Sequence, residues 1–575
     1  VAEGLDGNGV AVRRALLLWA LPLAFLGLFY FYPLGRILAV SFGRGAGGVI
    51  GPLEEALSSA YIRHILGFTL VQAFLSTALT LLVGLPGAFL LARYQFRGKA
   101  LLQALTAIPF VMPTLVVAAA FNALLGPQGW VNQGLMRLFG LAAPPLQFAN
   151  TLAAILLAHV FYNTTIVLRM VGDFWSRLDP RFGQAARVLG ANRWQALRQV
   201  TLPLLAPAIS AAALLVFIFD FTSFGVILVL GGPRFATLEV EIYYQTISLF
   251  NLPLAAALSV LQLACTLGLT VLYTRLSRRL SLPISLRPSR FTQHRLSTWR
   301  SRALAGIMIA FLLALLVLPL GALAARSFIR LGADRGQLSP VETGWTLAYY
   351  RELTVNRRGS LFYVPPLTAI GTSLTYAGLT VLFSLALGLP AAWALASRQE
   401  RWSNRLLDPI LMLPLGTSAV TLGLGFIIAL GRFPLDLLTS PLLIPLAHTL
   451  VAFPFVVRSL APALRSIRPR LRQAAAVLGA APGQVARAID LPLVGRALLV
   501  AATFAFSISL GEFGATALIA RPEYTTVPIM IYRFISQPGA LNYGQALALS
   551  TILMVVCGAG MLAIERLRIA EIGEF

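Results

Sequence analysis

Two acidic side chains stand inside otherwise apolar runs, Asp220 in VFIFDFTSFG and Glu512 in FSISLGEFG. An ionisable group at such a depth is costly and usually faces a cavity or a partner. Phe217, Phe219, Phe221, Phe224, Phe504, Phe506 and Phe513 lie around them in the chain. Carboxylates beside aromatic faces suit an organic cation; carboxylates alone suit a hard metal ion. Either acid could instead cap a helix or pair with an arginine. His159 and His448 also fall in apolar runs, as hydrogen-bonded core residues or as a symmetric pair in a passage. No Cys/His cluster has metal-site spacing, and no Ser/His/Asp set is arranged for nucleophilic catalysis. The single lysine, Lys99, follows Gly98 but precedes Ala100, so the Gly-x-x-x-x-Gly-Lys-[Ser/Thr] phosphate cradle is missing. The chemistry within reach is binding and gating, and any nucleotide hydrolysis belongs to another polypeptide.

The elements that hold these residues are set by composition. The 575 residues are 58% hydrophobic and 11% charged, against about 25% charged in soluble domains. The chain is an all-α integral membrane protein. Its formal charge of +24 is nearly all arginine and falls in short loops between apolar spans, the pattern of topology and lipid-headgroup contact rather than nucleic-acid binding. Cys265 and Cys557 sit within apolar runs and act as small hydrophobes. Spans are expected at roughly 15–42, 64–92, 100–125, 150–172, 205–231 and 252–274, then 303–327, 367–396, 407–431, 441–459, 494–520 and 543–563, each near the length a bilayer requires. The first, after Arg13 and Arg14, reads as retained rather than cleaved.

Arginine bias orients the spans. Arg93, Arg97 and Lys99, Arg177 to Arg198, Arg398 to Arg405, and Arg465 to Arg487 mark one set of loops; Glu54 and Glu55, Arg234 with Glu239 and Glu241, and Arg521 with Glu523 mark the other. The first set is then cytoplasmic, with both termini. The largest outer segment is 329–366, with Trp345, Tyr349, Tyr350 and Tyr363. Between the halves, Arg275 to Arg302 carries eight arginines, no acid, Pro283 and Pro288, and reads as a linker held at anionic headgroups.

The halves repeat. Gly84-Leu85-Pro86 recurs as Gly388-Leu389-Pro390. From the fourth span onward a constant offset of 289 maps His159 on His448, Arg169 on Arg458, Gly190 on Gly479, Phe224-Gly225 on Phe513-Gly514, Pro233 on Pro522, Thr237 on Thr526 and Tyr243 on Tyr532. Six spans per half give both halves one orientation, related by an axis along the membrane normal with a single pathway between them. Tyr243, Tyr532, Pro233 and Pro522 are expected in outer loops where a delivery protein could dock.

Two polar stretches sit at the same offset, QAARVLGANRWQALRQVTLP from Gln184 to Pro203 and QAAAVLGAAPGQVARAIDLP from Gln473 to Pro492. In the first, Pro180 opens a short helix whose Ala185, Ala186, Val188 and Leu189 are expected to lie against the membrane domain. Gly190 ends it, because the left-handed residue after a helix is most easily glycine. Asn192 caps a second helix, on which Trp194 and Leu197 share a face, and Pro203 breaks that helix before the next span. In the second copy Pro482 takes a first-turn position. Two matched cytoplasmic helix–Gly–helix segments form a partner-docking surface.

This pattern resembles the EAA loop of the membrane subunits of ATP-binding-cassette importers, across both loops and the six-span halves around them. The first position departs: Gln184 and Gln473 stand where the family has Glu, so two carboxylates are missing. The resemblance implies a bacterial inner-membrane permease with a first half at 1–274 (coupling loop 180–203), a linker at 275–302 and a second half at 303–575 (coupling loop 469–492). It implies ATPase contacts through Gln184, Ala185, Ala186, Gly190, Leu202 and Pro203, and through Gln473, Ala474, Ala475, Gly479, Leu491 and Pro492. Its partners would be two copies of a cytoplasmic ATPase, which uses ATP and Mg while this chain binds no cofactor, and an extracytoplasmic solute-binding protein. Asp220, Phe224, His159, Glu512, Phe513 and His448 are the pathway candidates. Fused double halves resemble the thiamine and ferric-iron importer permeases; Gln128-Gly129-Trp130, Ala158 to Asn163, Leu230 to Pro233 with Thr237-Leu238-Glu239, and Ser509 to Gly514 lean toward the thiamine group. An ion-coupled secondary transporter is the rival of another class; it would need no matched cytoplasmic loops.

Overall fold

The computed structural model describes residues 18–42, 54, 58–280, 292–331, 344–355, 365–396, 402–431 and 437–572. Pro283 and Pro288 of the linker, Tyr363, Glu55, Arg13, Arg14, Arg398 and Arg401 lie outside them. The first half runs through α1 (Leu18–Phe42), α2 (Ala60–Arg93), α3 (Lys99–Val111), α4 (Thr114–Leu125), α5 (Trp130–Phe139), α6 (Leu152–Arg177), α7 (Arg181–Val188), α8 (Arg193–Ala196), α9 (Leu202–Phe221), α10 (Gly225–Leu230), α11 (Leu238–Ile247) and α12 (Leu252–Leu280). The second half runs through α13 (Trp299–Leu316), α14 (Leu318–Arg326), α15 (Ala348–Arg351), α16 (Pro366–Ala396), α17 (Trp402–Met412), α18 (Ala419–Leu430), α19 (Leu443–Ser466), α20 (Pro469–Val477), α21 (Pro482–Val485), α22 (Leu491–Gly511), α23 (Gly514–Ile519), α24 (Val527–Ile535) and α25 (Ala540–Ile572). Among the described residues eleven helices are long and apolar enough to span a bilayer, and one further span is a bent pair.

Each half is built on three mutually packed helices, α2, α6 and α9 in the first and α16, α19 and α22 in the second. The repeated Gly-Leu-Pro explains how they approach. A Cβ at Gly84 would fall 2.7 Å from Val167 Cβ, and one at Gly388 would fall 2.6 Å from Val456 Cγ1; small residues let membrane helices close up at such points. Gly84→Leu should therefore part α2 from α6, since Val167 Cβ cannot rotate away. A loss of about 1–3 kcal/mol is expected from overpacking, read as a lowered unfolding midpoint of the purified chain. An unchanged midpoint would show that the approach is not tight.

The first helix of each half crosses to the other. Helix α1 packs on α12 and on α18, while α14 packs on α4 and α25, so each half's opening helix leans on the other half's third span.

The apolar runs read as third spans are broken, which corrects the expected spans at 100–125 and 407–431. In the first half the helix stops at Val111, Met112 is extended, and Pro113 precedes a new helix; proline pushes the preceding residue out of the helical region. In the second half the segments Leu407–Gly416 and Ala419–Leu430 meet at 97°. Ser418 Oγ accepts from the backbone N–H of Val420 and Thr421 there, replacing bonds the break removes. Tyr30 Oη lies 2.7 Å from Thr417 Oγ1, and Ser418 Oγ donates to Glu239 Oε2 at 2.6 Å, so two first-half elements brace the bend. The expected span at 303–327 is likewise divided, between α13 and α14, ahead of Pro319.

One short ladder departs from the helical pattern. Strand β1 (Tyr94–Gln95) pairs in parallel with β2 (His294–Arg295), and the Thr292 hydroxyl donates to the Ser176 carbonyl. Residues 292–295 are thus fastened to the C-terminal ends of α2 and α6.

Candidate functional site

The fifth spans, α9 and α22, carry both kinds of candidate residue, one kind at each end. Sequence reading expects Pro203 to break the helix that follows Asn192. Instead Arg193–Phe221 is one continuous 29-residue helix, as is Gly483–Gly511. The helix passes the proline through a widened π turn, Leu197–Thr201 in one copy and Ala486–Asp490 in the other. Proline offers no N–H and its ring crowds the carbonyl four residues back; a π turn relieves both and is common at functional positions. The Leu-Pro pair that closes each motif therefore makes a bulge, not an end.

At the glycine between the two short helices the turn is as the spacing requires. Gly190 has φ +94° and Gly479 +83°, the left-handed region where a side chain is disfavoured. Asn192 Oδ1 accepts from Gln195 N, and Gln195 Oε1 accepts from Asn192 N, both at 2.8 Å, a reciprocal cap. Pro482 opens α21. The side facing outward differs from expectation. Val188 and Leu189 are 87% and 88% exposed, and their equivalents Val477 and Leu478 are 87% and 86% exposed. Ala185 and Ala474 are exposed, and only Ala186 and Ala475 are half-buried. Val188 and Leu189, and likewise Val477 and Leu478, do not lie against the membrane domain but form exposed apolar ridges; Phe182 instead lines a hollow with Phe89, Tyr94 and Leu204. Gln184 and Gln473 are also exposed.

The two loops are braced differently. Arg472 Nε donates to Asp490 Oδ1 at 2.8 Å, with Asp490 buried; the offset places Gly183 and Thr201 at these positions in the first copy. Asp490→Asn should loosen only the second loop, by about 1–2 kcal/mol for a pair whose arginine is a third exposed. Limited proteolysis reads this as faster cleavage near Gly479 than near Gly190. Equal rates would show that the pair does not hold the loop.

At the far ends of the same helices two aromatic rings meet. Phe224 follows α9 and Phe513 follows α22, and the rings stack at 5.4 Å between centroids and 18° between planes. Tyr243 packs on Phe224 at 5.3 Å and Tyr532 on Phe513 at 5.5 Å. Tyr243 is buried, so it does not offer the open docking position expected of it. Gly225 and Gly514 let the pair close on the broken third spans: an added Cβ would lie 2.4 Å from Thr114 Oγ1 at Gly225 and 3.0 Å from Ala419 Cβ at Gly514.

Asp220 and Glu512 are buried one turn or less before these rings, at 1% and 8% exposure. Among the described residues neither pairs with an arginine. Asp220 Oδ1 accepts from Asn163 Nδ2 at 2.7 Å and lies 3.4 Å from His159 Nδ1. Glu512 Oε2 lies 3.2 Å from His448 Nε2, and its oxygens accept from the backbone N–H of Ala515 and Thr516, capping α23. His159 also meets Ser76 and Ser223, and His448 meets Ser509 and Thr516. Sequence reading passed over these hydroxyls, although the offset of 289 already set Ser223 opposite Glu512 and Asp220 opposite Ser509. Among the described residues no group of three or more His, Cys, Asp or Glu is placed to hold a metal ion.

A family model described as binding-protein-dependent transport system inner membrane component matches the chain twice, over residues 84–282 and 384–568. The chain belongs to this family. It is a multi-pass inner-membrane permease of the ATP-binding-cassette type with two family domains in one polypeptide. It is 28% identical to the thiamine transport system permease protein ThiP of Escherichia coli (strain K12), over 88% of this chain and 89% of that protein. Identity to the same-named protein of Brucella abortus (strain 2308) is 29%, over 92% of each. A probable ABC transporter permease protein, y4fN of Sinorhizobium fredii, is 26% identical over 94% of each. As a component of binding-protein-dependent transport, this permease works with a solute-binding protein.

Proposed function

We propose that this permease imports thiamine or its phosphates, driven by two copies of a cytoplasmic ATPase that grip loops 180–203 and 469–492. The observation that carries the coupling is the pair of outward apolar ridges, Val188-Leu189 and Val477-Leu478, at matched glycine turns. Exposed valine and leucine at these levels gain free energy only when a partner covers them. Each ridge precedes a 29-residue helix, about 43 Å long at 1.5 Å per residue, that ends beside Phe224 or Phe513. A rigid rod of that length carries a displacement of the cytoplasmic loop to the aromatic pair. Phe224, Phe513, Tyr243 and Tyr532 act as a closed gate between the halves, and ATP-driven approach of the two ATPases parts them. Both termini are cytoplasmic in this reading.

Thiamine is supported by the names of the relatives and by the chemistry of the gate. A thiazolium cation leaving its binding protein meets four aromatic faces before the buried carboxylates, and such faces attract desolvated cations. Ferric iron favours carboxylate and other hard oxygen ligands, and on these four rings only the Tyr243 and Tyr532 hydroxyls supply oxygen. Proteoliposomes holding the permease, its ATPase and its solute-binding protein should take up thiamine with added ATP and no ion gradient. Uptake of ferric iron but not thiamine would sink the substrate assignment. Uptake that persists without ATP while a proton or sodium gradient is kept would sink the ATP-driven reading.

A further inference from the structure

The two repeat-equivalent histidines hold the gate from opposite ring nitrogens. His159 presents Nδ1 to Asp220 Oδ1 at 3.4 Å and to Ser76 Oγ at 3.0 Å, and presents Nε2 to Ser223 Oγ at 2.9 Å. His448 presents Nε2 to Glu512 Oε2 at 3.2 Å and Thr516 Oγ1 at 2.8 Å, and Nδ1 to Ser509 Oγ at 2.8 Å. The offset of 289 makes Asp220 the counterpart of Ser509 and Ser223 the counterpart of Glu512. Carboxylate and hydroxyl have changed places around one conserved ring geometry.

That exchange dictates where each proton sits. Asp220 Oδ1 already accepts a 2.7 Å bond from Asn163, and Glu512 Oε2 already accepts from Thr516 N at 3.1 Å. Each is therefore an acceptor, and a ring N–H is the favourable group to face it, at 3.4 Å in His159 and 3.2 Å in His448; the Thr516 hydroxyl, which donates to Glu512 Oε2, is left to accept from His448 Nε2. A neutral imidazole has a single N–H, and the other nitrogen accepts. The second nitrogen then takes the hydroxyl of Ser223 in one half and of Ser509 in the other, each a donor that can rotate to suit. What these bonds hold is the gate: Ser223 and Glu512 are the residues immediately before Phe224 and Phe513.

We infer that His159 and His448 are gate-positioning residues locked in opposite tautomers, Nδ1–H in His159 and Nε2–H in His448. Each fastens the residue preceding its gate phenylalanine to the fourth span, α6 or α19. The inference deepens the gate reading and rests on it for its consequence, while the tautomers rest on the 3.4 Å approach of Asp220 to His159 and on the hydrogen bonds of His448.

The chain has four histidines, few enough for nitrogen NMR of the full-length protein in lipid discs with only histidine labelled. The His159 and His448 signals are assigned by their disappearance in His159→Asn and His448→Gln. The expected spectrum shows a protonated Nδ1 for His159 and a protonated Nε2 for His448. The same tautomer in both rings overturns the inference. Transport supplies the second arm, because an Asn amide reaches the place of Nδ1 and a Gln amide the place of Nε2. In proteoliposomes with the ATPase and binding protein, His159→Asn should support about tenfold more ATP-driven uptake than His159→Gln, the loss expected when a buried acceptor is left unmatched. At position 448 the ranking should reverse, with Gln above Asn by about the same factor. Residues that merely fill space would rank alike at both positions, and that result removes the latches from the gate whatever the tautomers. Should those variants fail to insert, His64→Gln with His294→Gln, both at exposed positions, leaves only the two gate rings; one Nδ1–H beside one Nε2–H is then expected, and two rings of the same tautomer overturn the inference.

Discussion

Replacing both gate phenylalanines, Phe224→Ala with Phe513→Ala, should turn a tight permease into a leaky one. The rings stack at 5.4 Å and each is buried under a tyrosine, so their removal opens a void on the axis between the halves. Truncating a buried phenylalanine costs about 3–5 kcal/mol, but these rings lie at the junction of two separately packed three-helix units rather than inside either. The expected outcome is an inserted, folded protein through which thiamine equilibrates without ATP, while the wild type stays closed. Tracer efflux from proteoliposomes holding the permease alone measures this. Efflux no faster than wild type would place the barrier elsewhere.

The second large effect is expected at the two apolar ridges. Leu189→Asp with Leu478→Asp alters residues that are 88% and 86% exposed, so folding has little to lose. If an ATPase buries these side chains, each leucine contributes about 1.5–3 kcal/mol, and an unpaired buried aspartate adds a penalty of its own. Affinity for the ATPase should fall by about a hundredfold or more, with insertion and gate tightness unchanged. Gly190→Val should act in the same direction through the turn, since φ +94° is poorly open to a β-branched residue. Co-purification at fixed detergent and salt reads both. Retention of the ATPase by the double aspartate variant would move the docking surface off these loops.

Much of this architecture is legible in the residues, and the exceptions have physical causes. Spans, halves and glycine turns follow from hydropathy and from the constant offset, because burial in lipid and left-handed backbone each demand particular residue types. The breaks in the third spans are not legible. Pro86 and Pro390 lie inside unbroken helices while Pro113 and Pro414 lie at breaks, and all four stand in apolar sequence. Tertiary contacts decide: the bend at Thr417 and Ser418 is held by Tyr30 and Glu239, 387 and 179 residues away in the chain. The direction of Val188 and Leu189 is hidden for another reason. Periodicity marks an apolar face but cannot say whether the same chain or another covers it. The acids stand out as charges in apolar runs, three residues apart in the repeat register, but the sequence does not show that His159 and His448 face them; that follows from the packing of the fourth spans on the fifth.

For ATP to drive transport through this permease, the loops and the gate must move as one. Phe224→Cys with Phe513→Cys, in an otherwise cysteine-free permease assembled with its ATPase and binding protein, puts a thiol on each side of the gate for a short bifunctional crosslinker. Crosslinking should be fast without nucleotide and should slow sharply when ATP is bound but not hydrolysed. An equal rate in both states would mean that nucleotide at the cytoplasmic loops does not open the aromatic pair, and the central claim would fail.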